Sequence, residues 1–238
     1  MTIANIKNLD YLKIEFEAEG ASKTDLTFLA KKAAMINVGL AVKIGGCEAK
    51  TDYKYCQLLE IDSVIAPMVE SSFAAQKLLD MSKHWKPKRL GINIETDMSV
   101  KNFESIVSVI KNRDIEIVFG RSDYASSIGL KNDVNNNQVI ESIEYVAKIC
   151  KTNDLRLTVG GGMNYLGFEK LYNNKIIKEV MTHVETRKLV FKANENLKNE
   201  DFLNAILFEI DLLKKDASSS KEELEETNTR IKNLEDRI

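Results

Sequence analysis

The chain has 238 residues, of which 44% are hydrophobic and 29% are charged, and its formal net charge at pH 7 is −2. This length suits one α/β barrel, or a smaller globular domain with an appendage. The 34 basic and 36 acidic residues are spread along the whole chain, so no basic stripe favours a nucleic-acid partner. No apolar run approaches the ~20 residues of a membrane helix, and the N-terminus lacks the apolar core of a signal peptide.

Short β-rich runs alternate along the chain with amphipathic helical patterns. The predicted strands cover 11–17, 40–44, 63–67, 89–94, 116–120, 156–160 and 183–191. The predicted helices between them cover 25–35, 48–59, 72–81, 101–111, 139–151 and 168–173. Such alternation predicts an α/β fold with a parallel sheet covered by helices. Seven strands are visible where a TIM (β/α)8-type barrel has about eight, so one strand is either hidden in the poorly patterned N-terminus or absent.

Several helix starts are marked by hydroxyl side chains that can accept a hydrogen bond from the first free backbone amides. Ser22 or Thr24 is predicted to cap the first helix, Ser71 or Ser72 the third, and Ser99 the fourth.

The chain changes character after residue 197. Residues 199–214 form a strongly amphipathic pattern, and 221–238 are almost all polar with a few apolar residues at heptad-like spacing. We therefore predict a barrel domain over 1–197 and C-terminal helices over 198–238. The last segment is either a solvated helix or an oligomer contact, because two or three heptads are a weak coiled-coil signal.

The cysteine and histidine content excludes some kinds of site. Cys47, Cys56 and Cys150 are odd in number and have no CxxC spacing, which argues against a disulfide framework or a zinc cage and favours a reducing cytoplasm. His84 and His183 are the only histidines, so a histidine-rich metal site is not expected.

Two acidic residues follow predicted strands that are neighbours in the chain order. Glu95 comes directly after the strand at 89–94, and Asp123 follows the strand at 116–120. Carboxyl ends of neighbouring parallel strands meet at one face of a barrel, and carboxylate oxygens are the ligands that hard divalent cations prefer. The pair therefore predicts a metal site, although an acidic residue at a strand end can also simply cap the helix that follows.

Four regions between about Asp10 and Gly162 contain motifs that occur together in a known family. They are 10–20, 42–46, 62–71, and the paired stretches 94–96 and 120–129. The last motif, Gly-Arg-Ser-Asp-Tyr-Ala-Ser-Ser-Ile-Gly, is similar to the pattern G-x-x-D-L-S-x-S-x-G. Through these motifs the stretch resembles the HpcH/HpaI aldolase and citrate lyase beta-subunit family, which belongs to the phosphoenolpyruvate/pyruvate superfamily of TIM barrels.

The resemblance implies metal-dependent aldol chemistry on pyruvate or a related 2-oxo acid. Glu95 and Asp123 would each supply one oxygen ligand to Mg²⁺ or Mn²⁺. Lys43 would neutralise the substrate carboxylate or the enolate, where family members more usually have arginine. The family's histidine after the early acidic residue is replaced by Ala18 or Glu19. Glu19, or Glu17 at the end of the same predicted strand, is the predicted general base.

Further roles are implied for residues beside these motifs. Arg121 is a candidate catalytic residue, which either binds a substrate anion or forms a salt bridge across the barrel rim. Ser122 is predicted to offer its backbone amide to an oxyanion. Gly45 and Gly46 would allow close approach of an anionic group, and Glu70 would orient a water or a ligand.

The leading hypothesis is a cytoplasmic carbon–carbon lyase of the class II aldolase type, which joins or cleaves a 2-oxo acid enolate and an aldehyde. One alternative is a citrate-lyase-like enzyme acting on an acyl thioester. Another is a non-catalytic barrel used as a binding or assembly module. A homo-oligomer is also expected, with the 199–214 helix packing on a neighbour.

Overall fold

In the computed structural model, which describes residues 6, 8–131, 133–215 and 221–238, eight strands close into a barrel in chain order. Strands β1 to β7 are parallel to their neighbours, whereas β8 runs antiparallel to both β7 and β1. The strands are β1 (Leu9–Glu15), β2 (Gly39–Lys43), β3 (Ser63–Ala66), β4 (Arg89–Ile94), β5 (Ile115–Gly120), β6 (Leu157–Gly160), β7 (Met181–Glu185) and β8 (Leu189–Lys192).

Helices follow the first six strands and surround the barrel. They are α1 (Phe16–Glu19), α2 (Lys23–Met35), α3 (Lys50–Leu58), α4 (Ser72–Met81), α5 (Asp97–Lys101), α6 (Phe103–Ile110), α7 (Arg121–Ser127), α8 (Asn137–Thr152), α9 (Tyr165–Tyr172) and α10 (Lys175–Val180). Two more follow β8, α11 (Asn199–Lys215) and α12 (Lys221–Glu235). Within the described ranges, no helix combines the length and the apolar content needed to cross a bilayer.

The eighth strand lies inside what the sequence pattern presents as one strand at 183–191. A turn at 186–188 divides this stretch into β7 and β8, and the turn is held by the Leu189 amide, which donates to Thr186 Oγ1 at 3.1 Å. No glycine or proline marks the turn in the sequence. The prediction that the eighth strand is hidden in the N-terminus or absent is therefore wrong, and β7 and β8 are joined by a hairpin rather than by a helix.

The first strand lies two residues earlier in the chain than predicted, since it runs from Leu9 to Glu15 rather than over 11–17. The chain turns into the short helix α1, which Gly20 closes with a left-handed backbone conformation (φ 59°). This conformation is one that glycine adopts without steric cost. The change of direction takes Glu17 and Glu19 off the strand and away from the barrel interior.

Successive side chains of each strand point alternately out of the barrel and into it, so the strands have an outer and an inner layer of side chains. Leu12 and Ile14 belong to the large apolar cluster between the strands and the helices. The inner layer is apolar only in its middle, where a separate small cluster contains Ala41, Ile65, Val118 and Val190. Polar residues fill the interior at both ends.

A hydrogen-bonded group fills the interior at the amino-terminal end of the barrel. The Arg89 guanidinium donates to Glu116 Oε1 and to Thr158 Oγ1, both at 2.7 Å, and lies 5.3 Å from the centre of the Tyr11 ring. At the edge of this group, His183 Nε2 lies 3.0 Å from Asp10 Oδ2. These contacts occupy the barrel end opposite the predicted site.

The apolar face of α11 packs on its own barrel. The Phe202 ring is 5.6 Å from Phe191 and 6.0 Å from Phe168, measured between ring centres. Farther along, a small cluster of Ile206, Ile210, Leu213, Ile231 and Leu234 joins α11 to α12. The predicted contact of this helix with a neighbouring subunit remains a proposal.

Hydroxyl side chains cap three of the helices, and asparagine side chains cap α8, α9 and α10. Ser22 and Ser71 cap α2 and α4, and Thr96 rather than Ser99 caps α5, with Ser99 closing the reciprocal bond of a capping box.

The cap on α4 gives a prediction with a matched control. Ser71→Ala should lower the free energy of unfolding by about 1 kcal/mol, because Ser71 Oγ accepts a hydrogen bond from the Ala74 amide at 3.1 Å. Ser72→Ala, one residue later in the same helix, should change it by less than about 0.5 kcal/mol. Urea unfolding of both variants measures the difference, and equal costs would contradict the cap assignment.

Candidate functional site

A cavity of about 520 Å³ opens at the carboxyl-terminal end of the barrel. Its walls come from the ends of β1, β2, β4, β5, β6 and β7, and helices α11 and α12 contribute to its outer side. This is the face where barrel enzymes carry their active sites. The inward-facing residues at the strand ends are therefore candidates for chemistry.

Glu95 is the most enclosed carboxylate of the cavity, with 1% of its surface exposed. Its Oε1 accepts from the Met68 amide at 3.0 Å, and its Oε2 accepts from Asn93 Nδ2 at 2.7 Å and lies 3.4 Å from Lys43 Nζ. Burial raises the pKa of the Glu95 carboxyl, Lys43 opposes this shift, and the nearby Asp123 adds to it. A second positive charge near Glu95 would stabilise its ionised form.

Asp123 lies in the first turn of α7 and lines the same cavity. Across the parts of the chain that the structure describes, its carboxylate has no hydrogen bond or ion pair with another side chain. The two carboxylates that follow β4 and β5 thus face one space, one held by three donors and the other open to a ligand.

The donor set fits a hard divalent cation bound at an open site. Glu95 and Asp123 offer carboxylate oxygens, and Asn93 Oδ1 is a buried oxygen that accepts no hydrogen bond from any described residue. No group of three or more acidic, histidine or cysteine residues gathers around a common point in the described ranges. Two carboxylates leave coordination positions for water and substrate oxygens, as Mg²⁺ sites commonly do.

Charged side chains of alternating sign continue from Glu95 into the barrel. Lys43 Nζ lies 3.4 Å from Glu95 and 3.7 Å from Glu15, while Lys13 Nζ lies 3.0 Å from Glu15 and 2.6 Å from Glu185. Burial alone would raise the pKa of Glu15, but Lys13 and Lys43 lower it to about 2. Burial alone would lower the pKa of Lys13, but Glu185 and Glu15 raise it. Both side chains are therefore ionised at neutral pH.

The structure brings four of the predicted site residues together. Lys43, Ser122, Glu95 and Asp123 all line the cavity. Their roles remain predictions, but their shared position agrees with the strand order β2, β4 and β5.

Two predicted catalytic residues lie elsewhere. Glu19 is on α1, outside the cavity, and binds Arg187 Nε at 3.0 Å and Lys188 Nζ at 2.6 Å. Arg121 is fully buried beneath the cavity, where it donates to the Gly160 carbonyl at 3.2 Å and to Asn135 Oδ1 at 2.9 Å, and burial lowers its pKa to about 10. Neither residue is among those that line the cavity, so the geometry does not support the predicted roles of Glu19 as base and Arg121 as catalytic residue.

Three predicted substrate-binding residues also lie outside the cavity walls. Gly45 is exposed and its amide donates to Asp52 at 2.9 Å, and Gly46 is half-buried beside it. Glu70 is exposed and accepts from the Thr96 hydroxyl at 2.7 Å, which ties two loops of the rim. These three residues make contacts within and between the loops of the rim, and they do not line the space in which a ligand would bind.

Sequence reasoning missed several residues that form the inner wall. Lys13, Glu15, Asn93, Glu185 and Arg187 line the cavity, and none of them is among the site residues predicted from the sequence. The available signal was the alternation of charged with apolar residues in a strand whose two faces are both covered in a barrel. Charges on such a strand have to point into the barrel interior.

A pair of glycines makes room for the two acidic side chains. Gly120 and Gly160 are partners in the β5–β6 ladder. A Cβ atom at Gly120 would lie 2.6 Å from Glu95 Oε2, and one at Gly160 would lie 2.6 Å from Glu185 Cγ. Glu95 and Glu185 thus lean over adjacent glycines from the two flanking strands.

Gly160→Ala should destabilise the protein by about 1–3 kcal/mol, because the new methyl group overlaps Glu185 and forces it away from Lys13. Gly91→Ala is the control, since a Cβ atom there would meet Ile65 and Val118 at 3.4 Å, which is ordinary contact. The measurement is the unfolding midpoint of each variant in denaturant. An unchanged unfolding midpoint in Gly160→Ala would contradict this prediction and would show that Glu185 can move away from the new methyl group.

Comparison with known proteins places the chain among aldolase-type barrels. The sequence profile described as HpcH/HpaI aldolase/citrate lyase matches residues 18–159. None of the curated protein sequences matches the chain.

Solved structures of low sequence identity share the fold. An HpcH/HpaI aldolase/citrate lyase family protein from Burkholderia cenocepacia J2315 is 14% identical, with a TM-score of 0.65 over 77% of this chain and 80% of that one. An HpcH/HpaI aldolase from Desulfitobacterium hafniense DCB-2 is 12% identical, with a TM-score of 0.64 over 92% and 91%. The citrate synthase SbnG is 12% identical, with a TM-score of 0.64 over 88% and 86%.

Proposed function

Because the chain belongs to the HpcH/HpaI aldolase/citrate lyase family, we propose that it is a carbon–carbon lyase that requires a divalent cation and acts on a 2-oxo acid and an aldehyde. Enzymes of this family are generally dependent on a divalent metal. The observation that carries the proposal is the meeting of Glu95, Asp123 and Lys43 in one cavity at the carboxyl end of the barrel.

Glu95 and Asp123 would hold Mg²⁺ or Mn²⁺, with Asn93 Oδ1 beside them. When bound, the cation supplies Lewis-acid stabilisation of the negative charge that develops on the carbonyl oxygen of the 2-oxo acid. Glu95 is fixed for this role by the Met68 amide and the Asn93 side chain, so little reorganisation is needed when a ligand arrives.

Lys43 is the cation of this chain that would neutralise the acid substrate. Its side chain is 12% exposed and its ammonium lies between Glu15 and Glu95, so it can interact with an anion in the cavity without losing both neighbours. A lysine presents a point charge rather than a planar fork, and it therefore attracts a carboxylate without fixing its orientation. Orientation would then depend on the cation and the cavity walls.

In the cleavage direction the substrate is a 4-hydroxy-2-oxo acid. A base removes the hydroxyl proton, the C3–C4 bond breaks, the aldehyde leaves, and the electron pair of the broken bond forms the enolate of the three-carbon acid. Return of a proton to C3 gives pyruvate, so atoms and charge balance without an oxidant or reductant. The reverse sequence joins the two fragments.

Titration calorimetry of metal-free protein with Mn²⁺, first alone and then with oxalate, tests the proposal. Oxalate mimics the planar enolate of pyruvate, so it should tighten Mn²⁺ binding, and Mn²⁺ should tighten oxalate binding by the same factor. If the folded protein binds neither ligand, the enzyme proposal fails and the non-catalytic barrel becomes the better hypothesis.

A further inference from the structure

Glu185, at the end of β7, is a cavity residue with an unused acceptor. The residue is 4% exposed and lines the cavity. Its Oε1 accepts from Lys13 Nζ at 2.6 Å, whereas its buried Oε2 accepts no hydrogen bond from any described group. A buried carboxylate oxygen without a donor is costly unless a ligand or a proton satisfies it.

The position of Glu185 places it across a narrow gap from the candidate metal ligands. Gly120 and Gly160 are register partners on neighbouring strands, which lie about 5 Å apart in any sheet. Glu95 leans over the first glycine and Glu185 over the second. The space above the two glycines is therefore bounded by the candidate metal site on one side and by Glu185 on the other.

The other carboxylates of the cavity are already engaged. Both oxygens of Glu15 face lysines, and its low pKa makes it a weak base. Glu209 is bound by Arg230 of α12. Glu95 and Asp123 are the proposed metal ligands, which leaves Glu185 for proton transfer.

The other basic side chains of the described cavity walls are assigned elsewhere, and Lys43 is the proposed partner of the substrate anion. Neither histidine of the sequence is there, because His183 lies against Asp10 at the opposite end of the barrel and His84 is exposed after α4. Lys13 lines the cavity, but Glu185 and Glu15 raise its pKa against the effect of burial, so it holds its proton. The histidine that the family resemblance leads one to expect thus has a carboxylate in its place, on a different strand.

We infer that Glu185 is the proton-transferring residue of this site, with Lys13 as the residue that positions its carboxylate. The inference rests on the proposed function. In the half-reaction, Glu185 takes a proton from C3 of pyruvate, the C–H electron pair becomes the C2–C3 double bond, and the carbonyl pair moves to oxygen. The neutral carboxylic acid then returns the proton to C3, and in cleavage the same carboxylate accepts the hydroxyl proton.

Exchange of the pyruvate methyl protons in D₂O, followed by proton NMR with Mg²⁺ present, isolates this step from any aldehyde. Glu185→Gln should slow exchange by about 100-fold or more, the usual contribution of a general base. Calorimetric affinities for Mn²⁺ and oxalate should stay within about threefold of the unmodified protein, because the glutamine keeps the shape of the cavity.

Glu116→Gln is the matched control. Glu116 is equally buried and paired with a basic residue, but it lies at the other end of the barrel with Arg89 and Thr158. The rate of pyruvate proton exchange, divided by the concentration of folded Glu116→Gln protein, should equal that of the unmodified protein even if the unfolding midpoint of the variant falls.

A second variant separates proton transfer from a purely structural role. In Glu185→Ala, added formate should restore part of the exchange, because it supplies a carboxylate in the space that the side chain leaves. If Glu185→Gln exchanges at the normal rate while the unmodified protein binds Mn²⁺ and oxalate, the inference is wrong and the proposed function stands. If the unmodified protein neither binds these ligands nor exchanges, the proposed function itself has failed.

Discussion

Substituting alanine for Asp123 is expected to weaken Mn²⁺ binding by about 100-fold or more, because a site with two protein carboxylates loses half of its anionic ligands. The Asp123 side chain makes no hydrogen bond or ion pair with the described part of the fold, so the free energy of unfolding should change by less than about 0.5 kcal/mol. Titration calorimetry with Mn²⁺, together with urea unfolding of the metal-free protein, measures both quantities.

The control for this experiment is Asp97→Ala. Asp97 is an acidic residue in the first turn of α5, on the same rim, and it pairs with Lys101 on the helix surface rather than lining the cavity. Its loss should leave Mn²⁺ affinity unchanged. Equal Mn²⁺ affinity in the Asp123 variant and the unmodified protein would remove Asp123 from the metal site.

Lys13→Met is expected to cost about 3–5 kcal/mol of folding free energy at pH 7, the usual penalty for removing one partner of a buried ion pair. Methionine keeps the length of the side chain but leaves Glu15 with only Lys43 and Glu185 with no cation within 4 Å in the described structure. Urea unfolding of the variant measures this cost. Lys88→Met provides the comparison, because the Lys88 side chain is exposed and forms a surface ion pair with Asp62. This substitution should cost less than about 1 kcal/mol of folding free energy.

The difference in unfolding free energy between the unmodified protein and Lys13→Met should depend on pH with a predictable sign. The pKa of Glu15 is about 2 in the folded protein against an ordinary value of 4.5, so its contribution to stability is present above pH 4.5 and is lost as the pH falls towards 2. Without Lys13, much of this contribution is already missing at pH 7. The difference in unfolding free energy between the two proteins should therefore shrink as the pH falls from 5 to 3, and a constant difference would contradict the ion-pair account.

The barrel architecture could be predicted because its strands and helices follow different periodicities. Six strand–helix units are visible in that way, including the β4 and β5 strands that precede Glu95 and Asp123. The β7–β8 hairpin was not visible, since its turn contains Thr186, Arg187 and Lys188 and no glycine or proline. Turn residues of this kind are fixed by pairing with distant strands rather than by local preference.

The metal-binding half of the candidate site was easier to predict than the inner wall. Glu95 and Asp123 each stand directly after a strand, and their position at the rim follows from strand polarity alone. Lys13 and Glu185 lie within strands, and their meeting depends on the register with which the barrel closes. Local sequence patterns contain no information about that register, so neither residue is predicted as part of the site from the sequence.

Barrel closure also dictates when during synthesis the ion pairs of the interior can form. Lys13 and Glu185 are 172 residues apart, and β1 gains its second neighbour only when Leu189 to Phe191 have left the ribosome. At bacterial or eukaryotic elongation rates this interval lasts roughly 10 to 30 s. During this interval the nascent sheet has two open edges, and Lys13 on its inner face lacks its partner Glu185. The hairpin that completes the barrel is thus also the step that ends the exposure of the growing chain to misassembly.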